Sequence, residues 1–287
     1  SPCVSCNRGV KIKELISLAD KLGATRIATG HYARLVSGTQ LVNGMRRVEL
    51  WRAKDLNKDQ SYFLHMLGQE TLARLMFPLG ELSKAEVRSE AVRLNLPGAL
   101  KGESQELCFV PAGRYDAFVS ERAEGRVRPG AILNEQGQVI GQHQGIHHFT
   151  VGQRRNLGVA TGQRSYVTKV DTQSGAVQLG SREDLLASGA LLKQLSLAQG
   201  VGLPMTCEVS VRYRGQPVAA RVESLADGGA RVDFASPVQA VVPGQVAVFY
   251  GGSRVLGGGS IERALPLKAG APTLSQASDH PNSEAFA

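Results

Sequence analysis

Apolar residues recur at helical spacing across residues 8–22. Val10, Ile12, Leu15, Ile16, Ala19 and Leu22 fall near one face, and Gly23 supplies a stop. Residues 26–36, RIATGHYARLV, are β-prone. A helix leading into a short apolar strand predicts an α/β unit with a parallel sheet. Asn43-Gly44 lies between two β-prone runs of 39–53 and predicts a hairpin turn. Residues 61–77 read as a helix closed by Pro78, and Ser83 with Glu86 forms a capping box for a helix over 84–96. Residues 104–110 read as a short strand carrying Cys108, and 114–122 as a short helix.

The pattern changes near residue 129. From there to about 267 the chain alternates apolar and polar positions in short runs punctuated by glycine, the signature of small barrels or sandwiches. Residues 268–287 are small and polar and predict a disordered tail. The fold class is therefore α/β followed by mostly β.

Composition narrows the picture. A chain of 287 residues accommodates about two domains. With 42% hydrophobic and 20% charged residues it is not a disordered protein. No apolar run reaches the ~20 residues of a membrane span, and the first residues lack the apolar core of a secretory signal. A cytoplasmic location is expected, with no membrane partner. The chain does not start with Met, which predicts that it is part of a longer one. The net charge is +8, and the excess lies before residue 201. Such an excess attracts nucleic acid, and it also describes an ordinary solubilising surface.

The four cysteines are Cys3, Cys6, Cys108 and Cys207. In a reducing compartment cysteines serve as nucleophiles, metal ligands or buried packing. Cys3 and Cys6 form a C-x-x-C pair, either half of a zinc site, a redox pair, or two small buried residues. A helix follows, and its N-terminus is expected to favour the Cys6 thiolate. Cys108 is either an inert core thiol or a nucleophile. Cys207 alternates with Met205, Val209 and Val211 and reads as core. Gly30-His31 follows an apolar strand, where a parallel sheet binds ligands beyond its strand ends. Arg212-Tyr213-Arg214 interleaves charge with an aromatic ring, as RNA backbone and bases require. Solvated surface explains it equally, as it does Asn57-Lys58-Asp59-Gln60 and Gln153-Arg154-Arg155.

Several stretches together resemble the MnmA-type tRNA-specific 2-thiouridylases. They are PCVSCN at 2–7, ATGHY at 28–32, NKDQSYFL at 57–64, FPLGEL at 77–82, SQELCF at 104–109, GQRRNLG at 152–158, RYR at 212–214, PGQVAVFY at 243–250 and LGGG at 256–259. They occur in family order. The resemblance implies part of a PP-loop (adenine-nucleotide alpha-hydrolase-like) ATP-binding catalytic domain at 1–111. A central β-rich domain at 112–200 and a C-terminal β-barrel at 201–267 follow, ahead of the tail. It implies 2-thiolation of the wobble uridine of tRNA, with ATP and Mg2+ adenylating the base and a cysteine persulfide delivering sulfur. Cys108 would carry the persulfide. Cys6 would attack it, or resolve it as a disulfide. Sulfur would come from a persulfide donor, a cysteine desulfurase or a relay protein. Gly30 would contact ATP. His31, Lys58, Asp59, Gln60, Arg212, Tyr213 and Gln245 would contact tRNA, and Ser1, Pro2 and Cys3 the target base.

Three departures stand out. The family's Ser-Gly-Gly-x-Asp-Ser phosphate loop has no counterpart here, which predicts that the chain alone does not activate uridine. Ser1 replaces the usual Asn. Cys3 replaces an Asp common in the family, giving a Cys3, Cys6, Cys108 trio able to ligate an iron–sulfur cluster. A catalytically incomplete tRNA-binding module and a zinc- or cluster-stabilised structural domain are the competing readings.

Overall fold

The computed structural model describes residues 1–42, 45–99, 108, 110, 115–123 and 127–267. The tail expected at 268–287 and the turn expected at Asn43-Gly44 lie outside them.

The chain opens as one long helical rod: α1 (Pro2–Cys6), a π turn (Asn7–Lys11) and α2 (Ile12–Lys21). Pro2 sits where its missing N–H costs nothing. Gly23, at φ +67°, ends the rod in the left-handed conformation that glycine tolerates. The rod starts earlier than its periodicity suggested, so Cys6 lies inside it and not at its N-terminus. The π turn inserts an extra residue and rotates what precedes it. Ile12, Ile16 and Ala19 form the inward stripe, whereas Val10 (56% exposed), Leu15 (38%) and Leu22 (74%) face outward.

Strand β1 (Ile27–Ala28) follows, then β2 (Ala33–Val42) and β3 (Met45–Arg52). β2 and β3 pair antiparallel with Val42 opposite Met45, the register of a two-residue hairpin loop. The helix expected over 61–77 is broken up. Ser61–Phe63 is a 3-10 turn, and Gly68 with extended backbone starts the short α3 (Gln69–Ala73). Leu75–Met76 is β4, pairing parallel with β1. α4 (Lys84–Arg93) begins with the expected box: Ser83 Oγ accepts from Glu86 N–H at 3.2 Å, and Ser83 N–H donates to Glu86 at 2.7 Å. α5 (Tyr115–Arg122) follows.

The middle of the chain forms a four-stranded sheet. β5 (Gly130–Leu133), β6 (Val139–His143), β7 (Tyr166–Val170) and β8 (Val177–Gly180) lie in the order β6-β5-β8-β7, over a core of Ile132, Val167, Val177 and Leu179. The remaining strands are β9 (Leu186–Leu197), β10 (Met205–Ser210), β11 (Val218–Ser224), β12 (Ala230–Gln239), β13 (Val246–Gly251) and β14 (Arg254–Pro266). They run β13-β10-β11-β12-β9-β14, and β13 also pairs with β14, closing a six-stranded barrel. Closure leaves none of the six barrel strands as a free edge. Sheet membership starts the barrel at residue 186, ahead of the expected 201. Cys207 is buried in the barrel wall, as its alternation predicted.

Five successive residues of β13, Val246–Tyr250, are buried. Ala247 and Phe249 face the barrel interior, while Val246, Val248 and Tyr250 pack with Leu50, Tyr62 and Leu64 of the α/β part. Burial on both faces explains the continuous apolar run VAVFY. β14 pairs with β3 through Arg254 and Trp51, adding the β2–β3 hairpin to the barrel sheet. No helix among the described residues is long and apolar enough to cross a membrane.

Candidate active site and nucleic-acid interface

Cys3 and Cys6 lie three residues apart on α1, on one face and one turn from each other. Both are half-buried thiols outside any disulfide. Cys108 is an exposed free thiol in a turn, and most of the strand expected around it lies outside the described residues. Burial pushes the Cys3 thiol above its ordinary range. The charge of Cys108 pushes it the same way, Lys11 opposes, and Cys6 adds a smaller upward push. The amine of Ser1 donates to Gly244 O at 3.1 Å, setting Ser1, Pro2 and Cys3 beside the turn that carries Gln245.

The chain leaves the carboxyl end of β1 through Thr29, Gly30 and His31. These residues line a cavity of about 550 Å3 with Lys11, Glu14 and Gln60. Thr29 Oγ1 lies 2.8 Å from His31 Nδ1, and His31 packs edge-on to Phe77. Burial, and then the charge of Lys11, hold His31 below its ordinary pKa, so it is a neutral ring at pH 7. A Cβ on Gly30 would meet only Leu79 Cδ1, at 3.8 Å. The protein's own packing therefore does not demand glycine there. This open backbone beyond a parallel strand suits a nucleotide.

Lys58, Asp59 and Gln60 join this cavity to a second one of about 480 Å3. Gln60 accepts from Tyr32 N–H at 3.0 Å. Asp59 accepts from Ala53 N–H, Ser61 N–H and Ser61 Oγ at 2.8–3.1 Å. Burial raises the Asp59 pKa against the pull of these bonds. Asp59 and Gln60 therefore shape the loop that presents Lys58. The groove carries four cations, Arg52, Lys58, Arg212 and Arg214, and three tyrosines, Tyr62, Tyr213 and Tyr250. Arg52 stacks over Tyr250 with 3.7 Å to the ring centre. Tyr213 packs on Phe63 at 4.4 Å between ring centres, with Arg214 5.3 Å from its own. Gly215 N–H closes the Arg212–Gly215 turn onto Arg212 O at 3.0 Å. Tyr62 and Tyr250 are buried beneath the groove and Tyr213 is half-buried, so Tyr213 is the ring there that can offer a face to an unpaired base among the cations.

A relative from Sorangium cellulosum (strain So ce56), named tRNA-specific 2-thiouridylase MnmA, is 50% identical over 274 residues, 94% of this chain and 70% of that protein. The chain belongs to the MnmA family. Relatives of the same name from Heliobacterium modesticaldum and Chloroflexus aggregans are 42% and 44% identical, over 93% and 92% of this chain and 70% and 72% of theirs. Residues 1–112 match the family described as tRNA methyl transferase HUP domain. Residues 116–181 match tRNA methyl transferase PRC-barrel domain, and 191–261 match Aminomethyltransferase beta-barrel domain. These three names agree with the α/β rod-and-strand unit, the four-stranded sheet and the closed barrel.

In this MnmA-family chain the residues that the resemblance singled out fall in several places, whereas Gln153, Arg154 and Arg155 lie between β6 and β7 and Cys207 in the barrel wall. Ser1, Pro2, Cys3 and Cys6 form the start of the rod beside the turn of Gln245, and Cys108 lies in an exposed turn. Gly30 and His31 line the first cavity. Lys58, Asp59, Arg212 and Tyr213 line the groove, and Gln60 belongs to the wall between. Sequence reasoning missed Arg52 and Tyr250, which reach the groove from β3 and β13. Their only signal was a polar or hydroxyl-bearing residue ending each apolar strand. The iron–sulfur expectation finds no support: among the described residues no three His, Cys, Asp or Glu side chains form a metal-holding group. Two of the thiols ride one helix turn and the third an exposed turn, and they do not converge on a common point. No step is routed through a cluster.

Proposed function

We propose that the protein replaces the 2-oxygen of the wobble uridine of tRNA with sulfur, using ATP to adenylate that oxygen and a Cys108 persulfide to supply the sulfur. The observation that carries this reading is the Cys3–Cys6 pair on one helical turn of a rod whose Lys11 and Glu14 line a nucleotide-sized cavity, with a cationic groove joined to it through Lys58, Asp59 and Gln60. A thiolate is a strong nucleophile near neutral pH, and sulfur passes between thiols by the displacement that drives disulfide exchange. ATP would enter beside Gly30, carrying Mg2+ on its phosphates, and would turn the uridine oxygen into a leaving group. Cys6 is the second working thiol, attacking the persulfide or resolving the disulfide left behind. Lys58, Arg212 and Tyr213 would hold the RNA strand, with Asp59 and Gln60 shaping the loop between the cavities and His31 and Gln245 at the margins. The uridine must leave its stack to reach the thiols beside Ser1, Pro2 and Cys3, at a cost of a few kcal/mol. A cytoplasmic persulfide donor would reload Cys108.

The test is Cys108→Ser in the complete enzyme, assayed for thiolated nucleoside and, separately, for tRNA binding. Thiolation is expected to vanish while binding survives. Full sulfur incorporation by the variant would refute the persulfide assignment.

A further inference from the structure

We propose that the seam between the β2–β3 hairpin and the barrel is a binding site for a small organic monocarboxylate. A cavity of about 270 Å3 lies in this seam and shares no lining residue with the two cavities above. Its polar side comes from Arg47 and Glu49 of β3, from His65, and from Arg254 at the start of β14. Leu50, Leu67, Leu72, Leu197 and Val255 add apolar walls.

The charges in this seam do not balance. The Glu49 carboxylate accepts from Arg47 and from Trp51 Nε1 at 3.1 Å, and Arg254 Nη2 lies 3.3 Å from it. Burial opposes the charge on Glu49, but its Arg47 and Trp51 bonds outweigh burial and hold its pKa low. His65 is uncharged at pH 7, since burial pushes its pKa down to about 4. Two guanidinium groups therefore meet one carboxylate, and no other charged side chain lines the cavity among the described residues. The side chains of Glu49, Arg47 and Arg254 are only 11%, 12% and 25% exposed. One unbalanced positive charge so far from water is costly until an anion joins it.

Hydrogen-bond donors are in excess as well. Each guanidinium carries five N–H groups. Arg47 uses one on Gln199 O at 2.8 Å and another on Glu49. Arg47 Nε, Arg254 Nε and His65 Nε2 are buried without a partner, half of the six such side-chain atoms among the described residues. Gln69 cannot answer them, because its amide is spent on the N–H and C=O of Val48, at 2.9 and 2.6 Å. A carboxylate brings one negative charge and two acceptor oxygens, in a plane that matches the guanidinium fork.

The walls choose among anions. An inorganic oxyanion would leave the leucines and Val255 uncovered, whereas a short hydrocarbon body covers them. The volume is below the roughly 300 Å3 at which pockets for drug-sized ligands begin, so that body is a few carbons long. An amino-acid zwitterion brings no net charge and leaves the excess in place. Because the contacts come from β3 and β14 alike, the bound carboxylate ties the hairpin to the barrel.

Trp51, the single tryptophan of the chain, donates to Glu49 and so reports on the cluster by its fluorescence. The experiment titrates the whole chain at pH 7 with sodium butyrate, acetate, inorganic phosphate or chloride at matched ionic strength. Butyrate is expected to give a saturable change, half-complete at a roughly tenfold lower concentration than acetate for its two further methylene groups. Arg254→Met should weaken butyrate binding tenfold or more, and Arg254→Lys, which keeps the charge, should restore most of it. Responses that do not saturate, or that are equal for butyrate and chloride, would overturn the proposal. So would phosphate saturating at the concentrations that butyrate needs, or Arg254→Met binding butyrate as the wild type does. Should Arg254→Met fail to fold, the comparison of butyrate with acetate on the wild type decides alone: equal half-saturation ends the assignment.

Discussion

His65 makes the stability of the protein depend on pH in a window that can be calculated. Its ring is 5% exposed and lies against Gly258 of the barrel, where a Cβ would come within 2.7 Å of it. Nδ1 lies 2.8 Å from Tyr62 O, which fixes the proton on that nitrogen and leaves Nε2 a buried acceptor with no partner. Burial pushes its pKa down to about 4, against the pull of the Tyr62 carbonyl, from 6.5 in the unfolded chain. Between those values the unfolded chain binds the proton and the native one does not. Stability must then rise with pH across the window and fall on acidification. The gap, at 1.36 kcal/mol per unit, is worth roughly 3 kcal/mol. Urea denaturation at pH 7, 5.5 and 4 measures it. His65→Leu removes the titrating ring, and the variant should lose roughly 3 kcal/mol less than the wild type between pH 7 and pH 4. His31, also held low by burial, and Glu49, held low by its Arg47 and Trp51 bonds against the opposing effect of burial, lose stability on acidification too. Both are present in each protein, so the difference isolates His65. Parallel curves for the two proteins would refute the assignment.

Two further substitutions test the groove and the packing of the turn at Gly80 against Ala33. Arg212→Ala should weaken tRNA binding and lower the salt slope by about one, because one phosphate contact releases about one counterion. Titrations over a range of salt check it, and an unchanged slope would remove Arg212 from the backbone contacts. Gly80→Ala would drive a Cβ to 1.9 Å from Ala33 O, a backbone atom that cannot swing aside. A loss of at least about 1–3 kcal/mol is expected, read by denaturation, and a wild-type midpoint would contradict the packing described.

What the sequence revealed was set by local rules. The Ser83–Glu86 box, the Gly23 stop, the Val42–Met45 hairpin and the alternating barrel strands each depend on residues close in sequence, and each was legible. The segment 61–77 was misread because its apolar residues serve three partners. Tyr62 packs on β13, Leu72 on the α/β core, and Leu75 enters a parallel strand. Summed along the chain, these demands imitate a helix. The rod's first turn was missed because a π turn breaks the 3.6-residue period between Cys6 and Ile12. Motif resemblance selected the site residues, but it did not show that Cys3 and Cys6 share one turn of the rod. Arg52 and Tyr250 were invisible because their stacking joins strands almost two hundred positions apart.

The double-sided burial of β13 has a mechanical consequence. One strand acts as a party wall: alternate side chains belong to two adjoining rooms, and neither room can be emptied without pulling it down. The β3–β14 pairing, Trp51 against Arg254, bolts the same two rooms together a second time, so the hairpin and the barrel stand or fall as one.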